Sequence, residues 1–145
     1  MIVIDTNVLV YAADSHSVFH GVCRDYLDHC LDDASPTYLT RNICYEFLRV
    51  TTHPRVFVRP WSANAANSFL QSLLAVDSAS VLQHTERHDA LLAATLDELP
   101  DVRGNLMHDL HTAVLMREHG IRSICTRDTH FTRFPFLSVV DPLRP

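Results

Sequence analysis

The run Ile2-Val3-Ile4 is wholly apolar and stops at Asp5-Thr6-Asn7, after which Val8-Leu9-Val10 restores the apolar pattern. A strand that does not alternate apolar with polar residues is buried on both faces, as the strands of parallel sheets are. Ser123-Ile124-Cys125 has the same character and also runs into a polar turn, Thr126-Arg127-Asp128. Between these runs, apolar residues recur at helical spacing: Val18, Val22, Tyr26 (or Cys23) and Cys30, then Ile43, Phe47 and Val50. Strands alternating with helices predict an α/β fold, a parallel sheet covered by helices.

The same patterns place the elements. Strands are expected over 2–5, 36–39, 80–83, 123–125 and 138–140. Helices are expected over 7–13, about 17–31, 40–52, 62–76, 86–98 and 105–118, with a helical turn near 129–132. Thr40, Ser62 and Asn105 have side chains suited to capping a helix N-terminus, and Gly120 suits a C-terminus. Loops are expected over 54–60 and 101–104. With 145 residues and no repeat or linker, one domain spanning 1–145 is the expectation. No apolar stretch reaches the roughly 18–20 residues of a membrane span, and Asp5 interrupts the only N-terminal apolar run. A cytoplasmic protein without a membrane partner is expected. Cys23, Cys30, Cys44 and Cys125 form no CxxC pair and sit among apolar residues, which suits reduced, buried thiols.

In open parallel sheets, functional residues collect just beyond the carboxyl ends of the strands. Asp5 and Asp128 both occupy such positions. If their strands are neighbours, two carboxylates share one crevice and repel each other, and a divalent cation is the simplest neutraliser. Two helical acids can join them. Glu46 precedes the core residue Phe47, although Arg49 at i+3 offers it a surface ion pair. Asp109 shares a polar, small-residue face with Asn105, Thr112 and Ala113. Either acid alone reads as solvated; the four together read as a metal site.

Charge is compatible with that reading. The formal net charge is −5, which argues against a general nucleic-acid coat protein but does not exclude a nuclease with acids clustered on a metal. All twelve basic residues are arginine, whose forked donors suit phosphate. Arg127 and Arg133 flank the Asp128 turn as candidates for phosphate binding, and Arg41, Arg49, Arg55 and Arg59 surround the Glu46 helix. Trp61 and Phe57 have rings suited either to stacking on bases or to packing. Ten histidines raise the question of zinc. His84 with His88 and His108 with His111 lie at helical spacing, but no third ligand or HExxH frame accompanies them. His111 lies about 200° around the helix from Asp109 and points away from the acid face.

The run I-V-I-D-T-N-V-L-V-Y-A, then Y-E-F, then H-D-L-H-T-A-V-L-M-R-E-H-G, then I-C-T-R-D-T-H-F, resembles the PIN domain family. More narrowly, it is similar to the VapC toxins of bacterial toxin–antitoxin pairs, over essentially the whole chain. The resemblance implies a three-layer α/β/α sandwich with a mainly parallel sheet, and a metal-dependent endoribonuclease. Asp5, Glu46, Asp109 and Asp128 match the family's acids, and Asn7 and Thr126 match polar residues that support them. The implied cofactor is Mg²⁺, with Mn²⁺ as substitute. Asp5 and Asp109 are expected to bind the principal ion, with Glu46 and Asp128 orienting water or holding a second one. The implied products are a 5′-phosphate and a 3′-hydroxyl. The implied partners are RNA, a small antitoxin that occludes the site, and a second copy in a homodimer; the apolar helix 62–76 suits a dimer surface, an antitoxin surface or core packing equally. One departure stands out: many relatives read T-x-D-x-D-F at the turn, and here His130 occupies the second acid's place.

Rival readings are weaker. A silent PIN-fold binding protein is expected to lose acids that this chain keeps. A non-toxin RNA-processing nuclease of the same fold usually carries further domains. An aspartyl-phosphate phosphatase needs a D-x-D pair and a lysine, whereas here the pair is Asp5 and Asn7 and the sequence has no lysine.

Overall fold

The computed structural model describes residues 1–32 and 35–144. Strands β1 (Ile2–Ile4), β2 (Thr37–Leu39), β3 (Ala79–Val81), β4 (Ser123–Cys125) and β5 (Ser138–Val140) form a sheet in the order β3-β2-β1-β4-β5. Every neighbouring pair is parallel. Helices α1 (Thr6–Ala13), α2 (His20–Asp32), α3 (Arg41–Thr52), α4 (Ala63–Leu74), α5 (His88–Glu98) and α6 (Leu106–Glu118) flank it, giving the three-layer α/β/α sandwich. The unbroken apolar runs have their cause here: β1 is the central strand, and Val3, Ile4, Ile124 and Cys125 are fully buried.

The chain builds outward from β1 through β2 to β3, then returns to lay β4 and β5 on the other side of β1. The order therefore reverses between β1 and β4, and a crevice opens beyond the carboxyl ends of strands at such a point. Ile4 pairs with Cys125, so the chain leaves both strands side by side. The Asp5 N–H donates to the Cys125 carbonyl at 3.0 Å, continuing the ladder one residue beyond β1.

Local chemistry sets most helix ends. Thr40 accepts from the Ile43 N–H and Ser62 from the Ala65 N–H, as their side chains predict. Gly120, at φ 67°, follows α6; its N–H reaches the Arg117 carbonyl and the Ile121 N–H reaches that of Met116, a Schellman ending. Asn105 departs from expectation. It already has helical dihedrals and makes no side-chain cap, and the turn is entered instead through Gly104, whose carbonyl accepts from the Met107 N–H. The second helix starts at His20 rather than near 17, because the Ser17 hydroxyl accepts from the Phe19 N–H and forms a turn.

Trp61 and Phe57 pack. Phe57 is buried, and Trp61 meets Phe47, Phe57 and Phe69 edge-on while Phe69 stacks on Phe47. The apolar face of α4 also turns inward through Ala66, Leu70 and Leu73. All four cysteines are buried, and no disulfide joins them. Among the described residues, no helix is long and apolar enough to cross a membrane.

Candidate metal centre

Asp5 ends β1 and begins α1. Its backbone is extended, and its Oδ1 accepts from the Thr6 N–H at 2.7 Å, which caps the helix. Its Oδ2 accepts from the Asn7 amide at 2.7 Å and from the Thr126 hydroxyl at 2.6 Å. Thr126 sits just past β4 and is fully buried; its oxygen also accepts from the Asn7 amide and from the Asp128 N–H. Asn7 completes the lattice by accepting from the Arg127 N–H at 3.1 Å. The two polar turns are thus laced together, with Asn7 and Thr126 both hydrogen-bonded to Asp5 Oδ2.

An open cleft of about 1360 Å³ lies over this edge of the sheet, and Asp5, Glu46, Asp109 and Asp128 all line it. Burial raises the Asp5 carboxyl above its usual range, with Asp128 adding to the effect and the hydrogen bonds from Thr126, Thr6 and Asn7 opposing it. Asp109 is pushed up to about 6, first by burial and then by the charges of Asp128 and Asp5, partly offset by His130 and His108. Among the described residues neither Asp109 nor Asp128 pairs with an arginine; the His130 ring nitrogen lies within 3.9 Å of a carboxylate oxygen of each. The ligand atoms of Asp109, Asp128 and His130 all lie within 4.8 Å of one another, a group that could hold a metal ion. Oxygen-rich, mutually repelling donors without a cationic side chain fit a divalent cation.

The remaining acids and arginines differ in their commitments. Glu46 makes the surface pair that Arg49 offers, with both guanidinium nitrogens donating, at 2.6 and 2.9 Å. These bonds hold its carboxyl below the usual range. Arg49 itself lines the cleft. Arg127 and Arg133 are not among the lining residues. The Arg127 guanidinium lies 4.2 Å over the Phe19 ring and within 3.8 Å of Asp141, and Arg133 is exposed on the short 3-10 helix Thr129–Arg133.

Sequence reasoning missed the part of His130, which it took only as a lost acid, and the lining residues Asn42, Tyr45 and His108. Asp14 also borders the cleft, but its carboxylate is turned onto the His16 N–H. His84, His88 and His111 meet away from the cleft lining. His84 Nε2 lies 3.1 Å from His111 Nε2, and His88 Nδ1 lies 2.6 Å from a carboxylate oxygen of Glu118.

Known proteins share this sequence and shape. The family model described as PIN domain matches residues 2–137. Ribonuclease VapC37 of Mycobacterium tuberculosis is 34% identical over 134 residues, covering 92% of each chain. Ribonuclease VapC43 of the same species is 32% identical over 143 residues, covering 99% of this chain and 96% of the relative. Among solved structures, Mycobacterium tuberculosis VapC20, a Sarcin-Ricin loop cleaving toxin, superposes with a TM-score of 0.70 at 16% identity over all of both chains. VapBC-1 from nontypeable Haemophilus influenzae gives 0.68 at 17% identity, covering 99% of this chain and 100% of that one. With the family's match spanning residues 2–137, nearly the whole sequence, the chain belongs to the PIN domain family.

Proposed function

We propose that the chain, as one domain over residues 1–145, is a metal-dependent endoribonuclease and the toxin of a VapBC-type pair. The observation that carries the reading is the gathering of Asp5, Glu46, Asp109 and Asp128 on one cleft at the reversal point of the sheet, with Asp109 raised first by burial and then by its acidic neighbours. The relatives named ribonuclease VapC support the substrate class.

Asp5 and Asp109 would hold the principal cation, Mg²⁺ or Mn²⁺, with Asp128 and Glu46 beside it. When bound there, a divalent cation supplies hydroxide at neutral pH and offsets charge developing on the phosphate. The chain's own contribution is positioning. Thr126 and Asn7 hold Asp5 Oδ2 in one orientation, and the Thr126 hydroxyl ties the Asp128 backbone to the same point. Glu46 acts once substrate draws Arg49 away, and Arg49 then meets a phosphate inside the cleft. Arg127 and Arg133 contact RNA outside it. The exposed apolar side chains Val18, Tyr45 and Val56 line the cleft and suit a small antitoxin that closes over it. A homodimer in the cytoplasm completes the proposal, and light scattering on the purified chain tests the dimer.

The deciding experiment incubates the protein with total RNA and Mg²⁺ or Mn²⁺, with and without EDTA, and sequences the new 5′ ends. Cleavage is expected to need metal, to leave 5′-phosphates, and to fall at least ~100-fold in Asp5→Asn and Asp109→Asn. Metal-independent cleavage, or full activity in those variants, overturns the mechanism. RNA binding without cleavage would instead favour a silent PIN-fold protein. Growth arrest relieved by a small neighbouring gene separates a toxin from an RNA-processing nuclease.

A further inference from the structure

We propose that His130 is a ligand of the cleft's cation, so that the centre has a mixed oxygen and nitrogen donor set and prefers Mn²⁺ to Mg²⁺. This rests on the reading of the cleft as a divalent-metal centre.

The placement of the ring has a local cause. Asp128 caps the 3-10 helix that follows β4, accepting from the His130 N–H at 2.8 Å. This short bond folds the residue back on its own capping carboxylate. The ring's Nδ1 then stands 3.3 Å from Asp128 Oδ1 and 3.9 Å from Asp109 Oδ2. Asp128 enters from the end of β4 and Asp109 from the first turn of α6, so one imidazole nitrogen bridges acids from two elements.

The separations match a shared ion better than a direct contact. Ligands about 2.1 Å from an octahedral cation lie about 3 Å apart when adjacent and about 4.2 Å apart when opposite. A charge-assisted N–H···O bond would be about 2.7–2.9 Å. Both Nδ1 distances exceed that and fall between the adjacent and opposite values. His130 also lines the cleft and its side chain is 60% exposed, so the ring turns toward an ion without stripping away much water.

Donor chemistry then predicts selectivity. Imidazole is a ligand for first-row transition ions, whose affinity for nitrogen exceeds that of Mg²⁺, and Mg²⁺ favours oxygen and keeps its waters. A neutral nitrogen in place of a carboxylate also removes one negative charge from the donor set, which weakens a hard cation most. His130→Asp restores an all-oxygen centre.

The test loads the full chain with Mn²⁺ and records pulsed electron paramagnetic resonance for ¹⁴N coupling, alongside calorimetric titrations with Mn²⁺ and Mg²⁺. Wild type is expected to show a histidine nitrogen on manganese. His130→Asp should lose it and bind Mg²⁺ more tightly, cutting the Mn²⁺-over-Mg²⁺ preference about tenfold. His108→Gln should keep the signal, because His108 is a cleft residue outside the close group. Circular dichroism checks that each variant is folded. If manganese binds in an Asp109-dependent way without nitrogen coupling, or with a coupling that His108→Gln removes, His130 is no ligand and the carboxylate centre survives. If wild type binds no manganese, or Asp109→Asn binds it equally well, the proposal and the metal reading fall together.

Discussion

Thr126 carries more of the site than its size suggests. Its single hydroxyl donates to Asp5 and accepts from the Asn7 amide and the Asp128 N–H, which uses its full hydrogen-bonding capacity inside a buried position. Thr126→Val keeps the shape but strips all three partners, and should destabilise the protein by roughly 1–3 kcal/mol in urea titration, with Thr126→Ser close to wild type. Asp109 has the opposite sense. Its folded pKa of about 6 lies above the ordinary aspartate value of 3.8, so the native state holds a proton that the unfolded chain releases. This contribution is fully present below pH 3.8 and is lost as pH rises through 6. Asp109→Asn should therefore raise the Tm of the metal-free protein by a few degrees at pH 7.5 and hardly at all at pH 4, read by calorimetry. Asp5 and Asp128 were legible as residues because strand ends in parallel sheets have a known use. His130 was not, because nothing in the order of residues says that its ring folds back on Asp128.

Between elements, Glu118 is the joint that the sequence conceals. An acid in the last turn of a helix reads as solvated, yet its side chain is fully buried. Its Oε1 accepts from both the N–H and the hydroxyl of Thr85, and Oε2 faces His88 Nδ1, which ties α6 to the start of α5. Burial opposes its ionisation, but the hydrogen bonds from Thr85 and His88 outweigh that and hold the carboxyl below its usual 4.5. A depressed carboxyl contributes stability above pH 4.5 that disappears as pH falls through the folded value. Glu118→Ala should cost about 3 kcal/mol at pH 7 and should flatten the acid limb of the stability profile. The helices themselves were largely legible, since Thr40, Ser62 and Gly120 act locally. Asn105 was misread because a capping side chain works only from an extended backbone, and Gly104 supplies the turn before it.

For the whole molecule, metal and fold are linked through the crowded acids. A cation that binds the folded chain alone stabilises it by about 2.7 kcal/mol at a hundred times its Kd. For a chain of this length that amounts to roughly 5–10 °C in Tm. Mn²⁺ should produce such a shift in wild type, and EDTA should reverse it. Asp109→Asn, although more stable without metal, should respond little. A Tm indifferent to Mn²⁺ would count against the centre.

The sequence alone determined the class of fold and offered the acids as candidates. Unbroken apolar strands, helix-length amphipathic stretches and caps are local patterns, and burying both faces of Ile2-Val3-Ile4 leaves few architectures other than a covered parallel sheet. Tertiary structure alone decided which groups face one another. Strand order set β1 beside β4 and so Asp5 beside Thr126, across more than a hundred residues of chain. Packing between elements also set His130 against Asp109 and Glu118 under Thr85 and His88. Periodicity fixes the face a residue presents, but the partner on that face depends on packing between elements distant in sequence.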